Sequence, residues 1–243
     1  MADEVQQACA GKSAGRPAWA GDGTCPVPAA SPHPNGTPVR TGRALRVIGE
    51  PGVIGEPGSG IDLGAAEHAA AEFLQALGIE LDSESLRGTP GRMARAYAEL
   101  FTPRPFGLTT FPNDEGYDEL VLARAIPVRS VCEHHLLPFT GVAHVGYLPG
   151  QRILGLSKLA RIVEHFARRP QVQERMTKQI ADWLYAHLHP QGAGVVIEAE
   201  HTCMTLRGVQ AAGSRTVTST LLGTLREDPR SRQEFFSLTG VGA

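Results

Sequence analysis

The sequence predicts an α+β fold: an antiparallel sheet covered on one face by helices, with a helical part before it. Three observations predict it. After residue 120 the hydrophobic periodicity runs strand, strand, helix, helix, strand, strand. The helices are therefore grouped, and consecutive strands join as hairpins, whereas a parallel sheet needs a helix between each pair of strands. No glycine-rich phosphate loop of the Rossmann or Walker kind follows any strand.

Residues 1–60 hold 11 Gly and 8 Pro but one aromatic, Trp19, too little apolar surface to offset the entropy of ordering. They are expected to form a disordered tail, with the domain proper over 61–243. The tail ends in a tandem hexapeptide, Val47-Ile48-Gly49-Glu50-Pro51-Gly52 and then Val53-Ile54-Gly55-Glu56-Pro57-Gly58, a duplication too short for a solenoid. From Asp62, the residues Ala66, Ala69, Ala70, Phe73, Leu74 and Leu77 recur at helical spacing until Gly78. A second helix starts at Thr89-Pro90, is amphipathic through Met93, Ala96, Tyr97 and Leu100, and ends before Pro103. These two helices form the N-terminal part, 61–120, and the segment from Phe106 to Gly116 reads as loop.

Over 121–243, Ala125 to Val131 and Gly141 to Leu148 read as strands. Ser157 is placed to cap a helix carrying Leu159, Ile162, Val163 and Phe166 on one stripe. Pro170 is placed in the first turn of another, whose buried face runs Val172, Met176, Ile180, Trp183, Leu184 and Leu188 up to His189-Pro190. Gly194 to Cys203 and Arg215 to Leu222 supply the last two strands.

The 243 residues carry 23 Lys+Arg against 25 Asp+Glu, a formal charge of -2, so no global basic field exists to hold a nucleic acid or an anionic membrane. No stretch reaches the roughly 20 apolar residues that cross a bilayer, and the first residues are too polar for a secretion signal. A cytoplasmic protein is expected. Its four cysteines are too few for a disulfide framework, and in a reducing compartment spaced cysteines point to metal, chemistry or burial. Cys9 and Cys25 lie in the tail and receive no role.

The densest reactive cluster is Cys132-Glu133-His134-His135, at a strand end where the chain turns toward Pro138. Cys132 and His135 can direct a thiolate and an imidazole at one metal. His201-Thr202-Cys203 closes a later strand, where alternation places His201 and Cys203 on one face. If those strands are neighbours, the ligand set is Cys132, His135 and Cys203. Two thiolates and an imidazole favour zinc, and three protein ligands leave a fourth place for water. Spacing alone does not separate this open site from a closed one with His134 or His201 as fourth ligand. Ser157, Lys158 and Arg161 at a helix start, joined by Arg207 four residues past Cys203, form a cationic group suited to a polyphosphate. Glu174, with Gln173 as an amide partner, can accept two N–H donors from a purine edge, or simply complement a helix dipole.

At these residues the chain closely resembles the GTP cyclohydrolase I family. The strings that carry the resemblance are Ser130-Val131-Cys132-Glu133-His134-His135, Gly155-Leu156-Ser157-Lys158-Leu159-Ala160-Arg161, Arg169-Pro170-Gln171-Val172-Gln173-Glu174-Arg175, and Glu198-Ala199-Glu200-His201-Thr202-Cys203-Met204 with Arg207-Gly208. They span about residues 61 to 240. The resemblance implies the tunnelling fold, a four-stranded antiparallel sheet with two helices on one face. It further implies pentameric rings stacked into a homodecamer, with active sites between subunits. It implies Zn2+ on Cys132, His135 and Cys203, acid–base roles for His134 and His201, guanine held by Glu174 with Gln173, and triphosphate held by Ser157, Lys158, Arg161 and Arg207. Arg92 in Thr89-Pro90-Gly91-Arg92 resembles a further phosphate contact. The implied reaction is hydrolysis of GTP at C8, giving formate and 7,8-dihydroneopterin triphosphate, the entry to pterin and tetrahydrofolate synthesis. Two other readings compete: a same-fold relative in deazapurine metabolism, which uses a nucleophilic cysteine and a nicotinamide, and an inactive zinc-stabilised ring-forming module.

Overall fold

The computed structural model describes Val53, Ile54 and residues 60–241. The elements run β1 (Val53–Ile54), α1 (Leu63–Ala76), α2 (Thr89–Phe101), β2 (Phe106–Gly107), β3 (Thr110–Pro112), β4 (Val121–Cys132), β5 (Pro138–Leu148) and β6 (Arg152–Leu154). They continue with α3 (Ser157–Ala167), β7 (Pro170–Gln171), α4 (Gln173–Leu188), β8 (Gly192–His201), α5 (Thr202–Thr205), β9 (Thr216–Gly223), α6 (Thr224–Glu227) and α7 (Pro229–Thr239). The expected disordered tail and the first hexapeptide copy lie outside the described residues. In the second copy, Val53 and Ile54 pair with Gly107 and Phe106.

The main sheet has the order β7-β4-β5-β8-β9. Neighbours β4, β5, β8 and β9 are antiparallel, as expected, and the two-residue β7 adds a parallel strip beside Val131 and Cys132. Odd residues of β5 and β8, among them Phe139, Ala143, Val145, Tyr147, Val195, Ile197 and Ala199, turn to one face and are buried against α3 and α4. Helix α3 contributes Leu159, Ile162, Val163 and Phe166, the stripe read from the sequence. Fully burying side chains of this kind stabilises by about 1.5–3 kcal/mol each.

Several boundaries differ from expectation for local reasons. Strand β4 begins four residues early, and a bulge between Ala123 and Ile126, with Ala125 at φ 53, resets its alternation so that Ile126 and Val128 reach the core. Helix α4 starts at Gln173 rather than near Pro170, because Pro170 and Gln171 pair with β4. Ser157 caps nothing: Leu156 occupies the N-cap position in helical backbone and no side chain accepts from the first turn. The segment read as loop after Phe106 holds β2 and β3, the latter paired with β6. Helices α6 and α7 had no counterpart in the sequence reading. They bury Leu225 and Phe235 against Val196 and Leu221 on the second face of the sheet.

His165 lies inside this core at 5 % exposure, between Phe106 and Phe166. Burial, helped by the charge of Arg169, pushes its pKa to about 4. Arg169 Nη2 lies 3.1 Å from its Nε2, and since arginine only donates, the neutral ring carries its proton on Nδ1. An unfolded histidine, near 6.5, binds a proton that the native one refuses. The resulting stability is therefore complete above pH 6.5 and lost as pH falls toward 4, roughly 3 kcal/mol across the window. Urea unfolding at pH 7 and at pH 4.5 checks this, since His165→Leu is expected to lose correspondingly less on acidification than the parent.

Gly141 sits on the central strand opposite Val128 on one side and Ala199 on the other. A Cβ there would collide with the Glu198 carbonyl and the Ala199 Cα. Gly141→Ala is expected to destabilise by about 3 kcal/mol, the upper part of the range for overpacking, read as a lowered urea midpoint with an unchanged slope.

Candidate metal and active site

Strand β5 brings the candidate ligands together because its first residues pair on both sides. Phe139 lies opposite Ser130 of β4 and opposite His201 of β8. Two residues past Ser130 comes Cys132, buried on the helix-facing side of the sheet. The chain then turns tightly, with Leu136 N donating to Cys132 O at 2.8 Å, Cys132 N to Leu137 O at 2.8 Å, and Leu136 left-handed at φ 52. Tyr97 of α2 donates to Leu136 O at 3.0 Å. On the other side β8 stops at His201, and Cys203 lies in the helical turn α5, whose Thr202 hydroxyl donates to Pro138 O at 2.6 Å. Cys203 is thus placed by a pinned helical turn and not by strand alternation, which corrects that part of the sequence argument.

The outcome is a group of three ligand atoms, from Cys132, His135 and Cys203, all within 4.8 Å of one another. Cys132 Sγ to His135 Nδ1 is 3.8 Å, close to the roughly 3.5–4 Å that separates ligands around a tetrahedral zinc. The donor set and its spacing fit a zinc ion. His134 Nδ1 also lies 3.8 Å from Cys132 Sγ, yet among the described residues the metal-competent group contains only the three. Burial, with Cys132 beside it, pushes the Cys203 thiol up, so a metal must displace a proton to use it.

The residues around the group are held from α4. Arg175 pairs with Glu133 through Nη2 and donates to Gln171 Oε1 through Nε at 3.1 Å. Glu133 N donates to Gln171 O at 3.0 Å, so the turn is tied to the strip that precedes α4. The Arg175 hydrogen bond holds the Glu133 carboxyl below its ordinary range. His134 is exposed, 3.9 Å from Glu133 Oε1. His201 stacks on Phe139 with ring centres 4.5 Å apart, and burial lowers its pKa against the opposing pull of Glu174. Glu174 is exposed at the start of α4, and its carboxylate has no ion pair among the described residues.

The cationic residues fall in three places. Arg207 is exposed just beyond Cys203, flanked by Leu206 and Val209. Ser157, Lys158 and Arg161 stand at the N-terminal end of α3, while the other end of that helix touches the metal turn: Ser130 donates to Ala167 O at 2.7 Å. Ten residues of helix put Ser157 about 15 Å from Ala167 along the axis. Arg92 folds back onto the loop before α2, donating to Ser85 O and Thr89 Oγ1 at 2.7 Å each.

Residues 66–240 match the model of the family described as GTP cyclohydrolase I. This chain belongs to the GTP cyclohydrolase I family. The chain is 54% identical over 178 residues to the GTP cyclohydrolase 1 of Streptomyces avermitilis, covering 71% of this chain and 88% of that one. Over 178 residues it is 49% identical to the enzyme of that name from Aquifex aeolicus, covering 73% and 97%, and over 186 residues 51% identical to that of Mycobacteroides abscessus, covering 73% and 89%. A solved archaeosine synthase QueF-Like in the apo form is 16% identical over 43% of this chain and 93% of that one, with a TM-score of 0.36; a likeness at that level bears on neither fold nor activity.

Zinc titration is expected to saturate at one ion per chain, with protons released on binding and affinity falling as pH drops, since the thiols must deprotonate. Cys132→Ser and Cys203→Ser are each expected to weaken binding by more than about tenfold. Calorimetry in two buffers of different ionisation enthalpy counts the protons.

Proposed function

We propose that this chain hydrolyses GTP to 7,8-dihydroneopterin triphosphate and formate, with Zn2+ on Cys132, His135 and Cys203. The observation that carries the reading is the three-ligand group, with His134 3.8 Å from the Cys132 sulfur and His201 two residues before Cys203, in a chain that belongs to this family. A closed structural site has no use for His134 and His201. When bound, the zinc supplies a water acidified to near neutrality, able to add at C8 of the purine. His134 and His201 move the protons, one to N7 as the imidazole ring opens and one at the ribose. Glu174 accepts from the N–H donors of the guanine edge. Ser157, Lys158, Arg161, Arg207 and Arg92 hold the triphosphate.

The separation along α3 supports a site shared between subunits. Ser157 and Lys158 stand at the end of α3 away from the Ser130 contact of their own chain, an arrangement that favours a second copy bringing its cations to the first. The sheet offers the means. Beyond the two pairs with β7, the edge of β4 carries no strand among the described residues, and neither does the outer edge of β9. Head-to-tail pairing of these edges closes a ring and removes both, in keeping with pentamers stacked as a homodecamer. Among the described residues no helix is long and apolar enough to cross a membrane.

Purified protein given GTP is expected to release formate and, after oxidation, a fluorescent pterin, and Cys203→Ala to abolish both. Stoichiometric metal with no nucleotide turnover would refute the reading and favour the inactive module. Mixed assemblies test the shared site. Lys158→Ala and Cys203→Ala are each expected to be inactive alone, and to regain about a quarter of the parent activity when co-assembled, the random-mixing share of sites built from two intact halves. No recovery would place both residues in one subunit's site.

A further inference from the structure

The geometry points to Gln173 as a positioning residue that fixes the His201 ring with its proton on Nε2 and leaves Nδ1 as the ring's only acceptor. The inference rests on the catalytic reading of His201 above. Gln173 is the first residue of α4 and is 1 % exposed. Its Nε2 lies 3.1 Å from Ile197 O, 3.0 Å from Thr216 O and 3.1 Å from Thr218 Oγ1, and its Oε1 lies 2.7 Å from His201 Nε2.

Every proton direction in this network follows from what each group can do. The two carbonyls only accept, so the amide nitrogen faces them and the amide oxygen faces the histidine. Thr177 donates its single hydroxyl proton to Gln173 O at 2.8 Å. The contact of 2.6 Å between the Thr177 and Thr218 hydroxyls must then be a donation from Thr218. That leaves Thr218 Oγ1 able to share one of the two Gln173 Nε2 protons with a carbonyl, and no member of the set favours a flipped amide. An amide oxygen cannot donate, so the His201 nitrogen that meets it carries the hydrogen. Phe139, fully buried and stacked within 12° of the ring, holds the plane in which that hydrogen bond is made.

The consequence bears on the expected guanine contact. Both ends of the Gln173 side chain are committed within the protein, so substrate recognition at this helix start falls to Glu174, one residue on and exposed. Gln173 acts through His201. A triad carboxylate sets the tautomer of its histidine in the same way, and losing the correct tautomer there costs orders of magnitude in kcat while the geometry survives.

The test uses zinc-loaded, assembled protein with 15N-labelled histidine rings. The His201 signals, identified by their loss in His201→Ala, are expected to show the proton on Nε2; a proton on Nδ1 in the parent protein overturns the inference, whatever any variant does. Gln173→Met, close in volume but unable to accept, is expected to lower kcat about 100-fold with KM for GTP within about twofold, and with zinc content and assembly unchanged. Gln173→Glu, which restores an oxygen acceptor, is expected to recover at least about tenfold of that loss. An unchanged kcat in Gln173→Met, or a rise confined to KM, overturns the positioning role, the latter in favour of direct guanine contact. Absence of GTP turnover in the parent protein would instead sink the functional reading, and the ring spectrum would still decide the tautomer.

Discussion

The register of β5 between its two neighbours is the constraint on which the site depends. Phe139 stands opposite Ser130 on one side and His201 on the other, so the residues just beyond each partner converge over the same end of the central strand. Neither half of the ligand set is local: Cys132 and His135 come from one crossing of the sheet, Cys203 from another. A slip of one residue in either pairing would turn the strand's inward side chains outward. The buried alternation of Phe139, Ala143, Val145 and Tyr147 against Ile197, Val195 and Ala193 opposes that slip at every second residue. The same hydrophobic contacts that stabilise the domain therefore fix the spacing of the three candidate ligands.

Around that point, helix α4 works as a platform. Its start supplies Gln173 to the end of β8 and Arg175 to the metal turn, on two sides of one helical turn. Because α4 is held down by Met176, Ile180 and Leu184 in the core, these polar contacts inherit the rigidity of the packing beneath them. Glu174, between the two, is left exposed at the dipole's positive end.

Much of this was legible in the residues. The stripe of α3, the order of strands and helices after residue 120, and the ligand trio all follow from periodicity and from the soft donors Cys132, His135 and Cys203. What was hidden depends on contacts that periodicity does not encode. The bulge at Ala123–Ile126 breaks the alternation on which a strand reading relies, so the first four residues of β4 dropped out. Cys203 looked like a strand residue because nothing local announces a single helical turn pinned by Thr202 to a distant carbonyl. Helices α6 and α7 are short, and their apolar residues Leu225 and Phe235 find their partners on the second face of the sheet. Gln173 carries a polar side chain at a helix start, where solvent contact is the ordinary expectation, and only its four partners reveal its burial.

The bulge in β4 has a consequence for how such chains can change length. Upstream of it Val121 and Ala123 pack on the helix side, and downstream Ile126, Val128 and Cys132 do so, two odd positions followed by three even ones. A deletion of one residue at Arg124 or Ala125, neither of them buried, would leave Ala123 and Ile126 two apart and bring all five inward residues into one alternation. Loss of two residues would instead force a choice between anchoring the amino-terminal half of the ribbon and keeping its sulfur on the inner side. The stretch therefore tolerates loss of one residue and not of two, and Ala125, at φ 53, accepts only side chains compatible with left-handed backbone.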